Sequence, residues 1–337
     1  TSTGQNFVQY ATTGSSAWRI ARGARYHTYR QLWNDRPQRR DPGDFPLHLD
    51  IETTNHCNLK CLMCPRTKYI ARRDWRWSPR GLGFMILDTY RYLIDQAADG
   101  GAYSVKLNLL GEPLLHPEVT RQVAYAHQKG LYVMMNTNAV LLTPDTSVRL
   151  LEAGIDDIFF SIDAPDRETF ERLRPGARFE IVINNIRGFI EARARSGLVH
   201  VQTRATMVTD VLEPTSDQIR GEYRRLMEEL GVEEIGFGAE DDHLADHSTE
   251  NLSGTGGFVC EQIYQRTFIT WDGVIIPCCG HWERDYSLGS IEKTSLPAAW
   301  QGQAYRHLRQ AHEAGCFHSI GICRRCSVPW LEAKAKG

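Results

Sequence analysis

The chain has 337 residues, 42% of them hydrophobic, 10% aromatic and 24% charged, with 39 basic residues against 41 acidic ones. These are the proportions of a folded globular protein, which excludes wholesale disorder and fibrous repeats. The formal charge of −2 supplies no basic excess for nucleic acid or an anionic membrane, so neither is an expected partner.

Thr1 to Ala11 lack the charged-then-apolar layout of a secretory leader, and no apolar run approaches the ~20 residues that span a bilayer. The expected location is therefore the cytoplasm. Residues 1–46 read as a helical lead-in: Trp18, Tyr26, Tyr29 and Trp33 recur at near-helical spacing among arginines. The simplest reading packs the aromatics on the main body and leaves the arginines solvated.

From 47 to 238 the periodicity alternates. Strands are predicted at Leu47–Glu52, Ser104–Leu109, Leu131–Asn136, Asp157–Ser161, His200–Val208 and Glu233–Phe237. Helices are predicted between them at Leu87–Ala98, Glu118–Lys129, Pro144–Ala153, Phe179–Ala194 and Thr215–Leu230. Thr143-Pro144 is a helix start, and Gly100, Gly130, Gly154, Gly197 and Gly231 each follow a helix. Strand and helix in alternation predict an α/β fold with a parallel sheet, whose reactive groups gather at the carboxyl ends of the strands. Six such units are too few for a full eight-fold barrel. Residues 239–257 are polar and Gly/Ser-rich and read as a linker, in which Asp241, Asp242 and His243 are more simply solvated than metal-bound. Residues 258–337 form a small cysteine-rich appendage.

Nine cysteines are an odd number, so full disulfide pairing is excluded, and their placement is uneven. Cys57, Cys61 and Cys64 follow the first strand; the other six lie after residue 259. Three thiolates without a local fourth ligand leave one metal position open, which suits a [4Fe–4S] cluster with one free iron better than four-coordinate zinc. Buried structural thiols, or a zinc site completed by a distant ligand, are the alternatives.

Cys57-x3-Cys61-x2-Cys64 after a first strand resembles the radical S-adenosylmethionine (SAM) superfamily. The resemblance implies a partial (β/α)6 TIM-like barrel, a [4Fe–4S] cluster on Cys57, Cys61 and Cys64, and SAM chelated by the free iron. It also implies reductive cleavage of SAM to a 5′-deoxyadenosyl radical, with the electron supplied by an external carrier such as flavodoxin or ferredoxin. Leu110-Gly111-Glu112-Pro113 is similar to the family's Gly-Gly-Glu-Pro segment for the SAM amino group, and only Gly111, Glu112 and Pro113 carry over. Asn136, Asn138, Ser161 and Asp163 stand at strand ends where the family contacts SAM. Arg204 resembles its carboxylate-binding basic residue, and Met63 takes the slot beside the adenine.

In the tail, Thr267–Thr270 and Val274–Pro277 flank Trp271-Asp272-Gly273 and predict a β-hairpin. It would bring Cys260 near Cys278, and Cys323-x2-Cys326 could close a four-sulfur cage for zinc or a [4Fe–4S] cluster. Beside a radical SAM barrel the pattern resembles the SPASM and twitch auxiliary-cluster modules, implying a second [4Fe–4S] cluster on Cys260, Cys278, Cys323 and Cys326. Cys279 and Cys316 remain as inert thiols, replacement ligands or hydrogen-atom donors.

The intervals resemble those of sugar and aminocyclitol dehydrogenases of antibiotic pathways. The expected reaction is oxidation of a carbinol C–H to a ketone on a small polyol or sugar, with an electron passing to the auxiliary cluster. Radical epimerisation with Cys279 or Cys316 as hydrogen donor, and modification of a ribosomal peptide, are the alternatives.

Overall fold

The computed structural model describes residues 7–11, 23–209, 216–239, 258–280, 283–326 and 328–329. Asp241, Asp242 and His243, almost all of the expected linker, Trp18 and the last residues lie outside them.

The strands are β1 (Phe7–Ala11), β2 (His48–Ile51), β3 (Ser104–Lys106), β4 (Tyr132–Thr137) and β5 (Asp157–Ser161). They continue with β6 (Gln202–Thr209), β7 (Glu234–Ala239), β8 (Arg266–Ile269), β9 (Val274–Ile276) and β10 (Gly289–Ser290). They form one sheet in the order β1-β7-β6-β5-β4-β3-β2-β8-β9-β10. From β7 through β2 to β8 every pairing is parallel. The six predicted strands are thus β2 to β7, and the predicted helices between them are Leu87–Asp99, Val119–Gln128, Pro144–Glu152, Phe179–Arg195 and Asp217–Leu230. Local chemistry sets their limits: Thr143 caps Thr146 N–H with Pro144 in the first turn, and Gly231 ends its helix at φ 82°.

Two features differ from the sequence reading. The lead-in supplies a strand as well as a helix, since β1 pairs antiparallel with β7. The tail also joins the main sheet, because β8 lies parallel to β2 with Leu49 opposite Thr267. Pairing between segments more than 200 residues apart has no local signal.

The helix Gly23–Arg39 covers the amino ends of the strands. Tyr29 stacks on Tyr103 at 4.2 Å and Trp33 meets His48 edge-on at 6.2 Å. Its arginines stay largely solvated, as Arg25 and Arg39 do, although Arg25 donates to Gly130 O at 2.6 Å and half-buried Arg36 to Phe45 O at 2.7 Å. Just above, fully buried Asp50 of β2 meets Lys106 at 2.7 Å and Arg266 of β8 at 3.5 Å. Burial raises a carboxyl, but Lys106, His48 and Arg266 together outweigh it and hold Asp50 well below the usual range. Packed rings and paired charges thus occupy the amino ends of these strands, and the cysteine loop lies at the opposite, carboxyl end. Among the described residues no helix is long and apolar enough to cross a membrane.

Candidate metal and cofactor site

Beyond Ile51 the chain crosses the carboxyl end of the sheet and delivers the first three cysteines. Cys61 is buried, while Cys57 and Cys64 are half-buried. Backbone bonds fix the loop: Lys60 N–H donates to Pro175 O at 3.1 Å, and Leu62 N–H to Leu173 O at 3.0 Å. Cys64 precedes the helix Pro65–Ala71, where Pro65 is tolerated because a first-turn N–H needs no intrahelical partner.

Polar groups surround the sulfurs. Asn138 Nδ2 lies 3.9 Å from Cys57 Sγ and donates to Asn58 Oδ1 at 2.8 Å. Arg174 Nη1 lies 3.8 Å from Cys61 Sγ, held there by Asp163 Oδ2, which its Nε reaches at 2.6 Å. Burial pushes the Cys57 thiol up, and the Cys61 thiol up to about 12 despite Arg174. Metal must therefore displace protons, and the amide and guanidinium donors then stabilise the thiolates. Among the described residues no three His, Cys, Asp or Glu side chains converge on a single ion. A four-iron cluster does not ask for that convergence, because each thiolate binds its own iron. Donor chemistry and placement fit such a cluster.

Arg174 carries no signal in its own stretch of sequence, and its role follows from Asp163. Asp163 also accepts Val208 N–H at 3.0 Å, so its carboxylate is already committed to the loop's architecture. The pair is nearly sealed, at 9% and 0% side-chain exposure. Asp163→Ala leaves a buried, uncompensated guanidinium and should cost about 3–5 kcal/mol. Chemical denaturation measures this, and a loss under about 1 kcal/mol, the range of a solvated pair, would contradict it.

Gly111 is required by contact. A Cβ there would stand 2.0 Å from Thr54 O and 2.8 Å from His56 O. The next residue, Glu112, donates its N–H to His56 O at 2.8 Å, so this loop is clamped directly on the cysteine loop. Gly111→Ala should lower stability by about 1–3 kcal/mol and weaken SAM binding with it. Unchanged melting and SAM affinity would refute the clamp.

Glu112 is 3% exposed. Its carboxylate accepts Thr137 Oγ1–H at 2.7 Å, Asn138 N–H at 2.8 Å and Leu114 N–H at 3.2 Å. Burial outweighs these donors and moves its pKa up to about 7. Accepting an N–H from the iron-bound SAM amino group would require the carboxylate, so binding below pH 7 must expel a proton from Glu112. The SAM dissociation constant of cluster-loaded protein should rise below pH 7 more steeply than for Glu112→Gln, by about a further tenfold per pH unit, since only the SAM amino group must lose a proton in the variant. A wild-type profile parallel to that of Glu112→Gln between about pH 5.5 and 7 would contradict that role.

The other candidates divide. Asn136 and Ser161 lie at the carboxyl ends of β4 and β5, and Met63 packs against the core beside Cys57 and Cys64. Pro113 opens the short turn that Glu112 caps. Arg204 is not at a strand end. It lies five residues before the end of β6, roughly 16 Å at 3.3 Å per residue. Its guanidinium pairs with Asp157, the first residue of β5, and covers the Phe159 ring at 4.9 Å. Arg174 stands beside Cys61, and Arg66 is close enough to Cys57 to favour its thiolate.

The second group forms where the tail docks. Burial drives the Cys278 thiol well up, and Cys279, Cys323, Cys260 and Cys326 are all close enough to push it further. Cys323 is raised likewise, with Cys260 and Cys326 adding to burial. The hairpin β8–β9, with Gly273 at φ 83° in its turn, carries Cys278 into this group. Cys279 is half-buried, its thiol 3.9 Å from Gln262 Oε1, while Cys316 is exposed and its thiol lies 3.6 Å from Ala314 O in its own turn.

Glu52, which the motifs did not single out, joins the two regions. It is 2% exposed and accepts N–H bonds from Leu110 at 3.3 Å and Trp271 at 3.2 Å. Burial raises it to about 7. It lines a small, mostly apolar cavity, with room for about one water, together with Trp77, Leu109, Leu110, Thr270, Ile276 and Arg284.

The radical SAM superfamily model matches residues 51–209, and the SPASM iron–sulfur cluster-binding model matches residues 260–327. The chain carries a radical SAM domain followed by a C-terminal SPASM domain. The first domain brings SAM and a [4Fe–4S] cluster; the second brings auxiliary iron–sulfur. The AdoMet-dependent heme synthase of Methanosarcina barkeri is 34% identical over 39% of this chain and 36% of its own length. The chain therefore spans about a third of that relative. The mycofactocin maturase of Mycolicibacterium smegmatis is 24% identical over 86% of this chain and 79% of that protein. In fold the chain is similar to BtrN in complex with AdoMet and 2-DOIA (TM-score 0.52, 16% identity, 84% of this chain and 93% of that one). It is also similar to Streptococcus suis SuiB bound to S-adenosylmethionine (TM-score 0.61, 18% identity, 86% of this chain and 75% of that one).

Proposed function

We propose that this enzyme oxidises a carbinol C–H of a small polyol or sugar to a ketone. Cys57, Cys61 and Cys64 would hold the SAM-binding cluster, and Cys260, Cys278, Cys323 and Cys326 the auxiliary one. When bound, the first cluster and SAM supply a 5′-deoxyadenosyl radical that takes the carbinol hydrogen atom, and the auxiliary cluster receives one electron. The observation that carries the reading is the second cysteine group, in which Cys260, Cys278, Cys323 and Cys326 stand close together: four thiolates would leave no iron open to substrate, which suits an electron acceptor. Glu52 would take the hydroxyl proton through the single water its cavity has room for, while the Leu110 and Trp271 amides keep it in place. Glu112 and the Gly111 clamp position SAM, Asn138 and Arg174 steady the thiolates, and a one-electron carrier such as flavodoxin or ferredoxin supplies the first site.

The test is incubation with a panel of aminocyclitols and sugars in D₂O, following carbonyl product and 5′-deoxyadenosine. Equal amounts of both, with no deuterium at carbon, support oxidation. Inversion with one deuterium means epimerisation, for which Cys279 is the better placed thiol because Cys316 lies at the surface. The near-full-length similarity to a mycofactocin maturase favours peptide modification as the second reading. Turnover of a peptide with none of the polyols would establish it.

A further inference from the structure

His312 sits on the helix Gln303–Glu313 with 2% of its surface exposed. Its ring stacks on Phe317 at 5.5 Å and leans on Phe258 at 6.0 Å. At one edge Nδ1 accepts the backbone N–H of Cys260 at 3.4 Å. At the other, Nε2 stands 3.4 Å from Cys323 Sγ. One imidazole therefore bridges two cysteines that are distant in sequence.

The proton on that ring can be placed by two separate arguments. A nitrogen accepting an amide hydrogen carries none, so a neutral ring bears its proton on Nε2, facing the sulfur. A ligating thiolate offers only lone pairs, so the nitrogen facing it must donate. The Phe258 backbone also bonds the ring; were its carbonyl to take a proton from Nδ1 instead, a nitrogen lone pair would be turned against the thiolate.

We propose that His312 is a positioning residue for the auxiliary cluster, whose Nε2–H donates to Cys323 Sγ and raises the cluster's reduction potential. This rests on the reading that Cys323 is a ligand. A hydrogen bond to a ligating sulfur stabilises the reduced state, which carries the additional negative charge. In a buried site that bond is stronger than in water. The consequence is a better electron acceptor on the product side of the reaction.

The test uses the anaerobically reconstituted full chain, with iron analysis and an EPR-monitored redox titration. His312→Phe keeps a stacking ring and removes the donor. It should retain about eight irons, shift the auxiliary potential negative and leave the first cluster's potential unchanged. His312→Gln, which keeps an N–H, should restore part of the shift. Pulsed EPR on ¹⁵N-histidine-labelled wild type should show a histidine nitrogen and an exchangeable proton coupled to the reduced auxiliary cluster. The proposal is overturned by an unchanged potential in iron-replete His312→Phe, or by the absence of both couplings in wild type. Cys323→Ala with full iron and an unaltered auxiliary signal would remove the ligand reading, and the proposal with it.

Discussion

Replacing Cys57, Cys61 and Cys64 together by alanine is expected to lower bound iron from about eight to about four per chain and to abolish SAM cleavage. The three thiols lie on one loop clamped at His56, Lys60 and Leu62, and Arg174 and Asn138 have donors aimed at two of them. Loss of the sulfurs removes every thiolate at the carboxyl end of β2 but leaves the sheet and the tail untouched. The remaining four irons should be those of the tail, with their EPR signal preserved. Iron falling to zero would mean that the two groups assemble as one unit. Iron staying at about eight would mean that the cluster sits elsewhere.

The second large effect is expected from Cys323→Ala. The first site is intact in this variant, so reductive cleavage of SAM to 5′-deoxyadenosine and methionine should continue. Ketone formation should fail, since the electron released as the carbonyl forms has no acceptor. The variant thus accumulates 5′-deoxyadenosine without product. The reading stands on the grouping of Cys260, Cys278, Cys323 and Cys326 around one buried centre. Cys279 shares that neighbourhood, so Cys279→Ala is the control, and it should leave both iron content and turnover unchanged. Full turnover by Cys323→Ala would contradict an electron-transfer role.

Much of this was legible in the sequence for physical reasons that are local. The strands β2 to β7 and their helices follow from apolar periodicity, capping hydroxyls and glycines past helix ends, all of which act within a few residues. The hairpin was legible from its Asp-Gly turn. What escaped is tertiary. β8 joining β2, and β1 pairing with β7, depend on which edges meet in space. Arg204 has the right chemistry but stands too early in β6, and a spacing argument does not show how far along a strand a side chain projects. Arg174 and Glu52 were missed because neither belongs to a motif. One is defined by its partner Asp163, the other by two backbone amides from opposite parts of the chain. Cys279 and Cys316 were equivalent in sequence; burial separates them.

The most direct test of the two-centre account is EPR of the anaerobically reconstituted, dithionite-reduced protein with and without SAM. Two four-iron signals are expected, and only one should change when SAM binds, because only the three-cysteine cluster has an iron open to it. A single signal, two signals that both respond to SAM, or stoichiometric zinc in place of the second cluster would contradict the account.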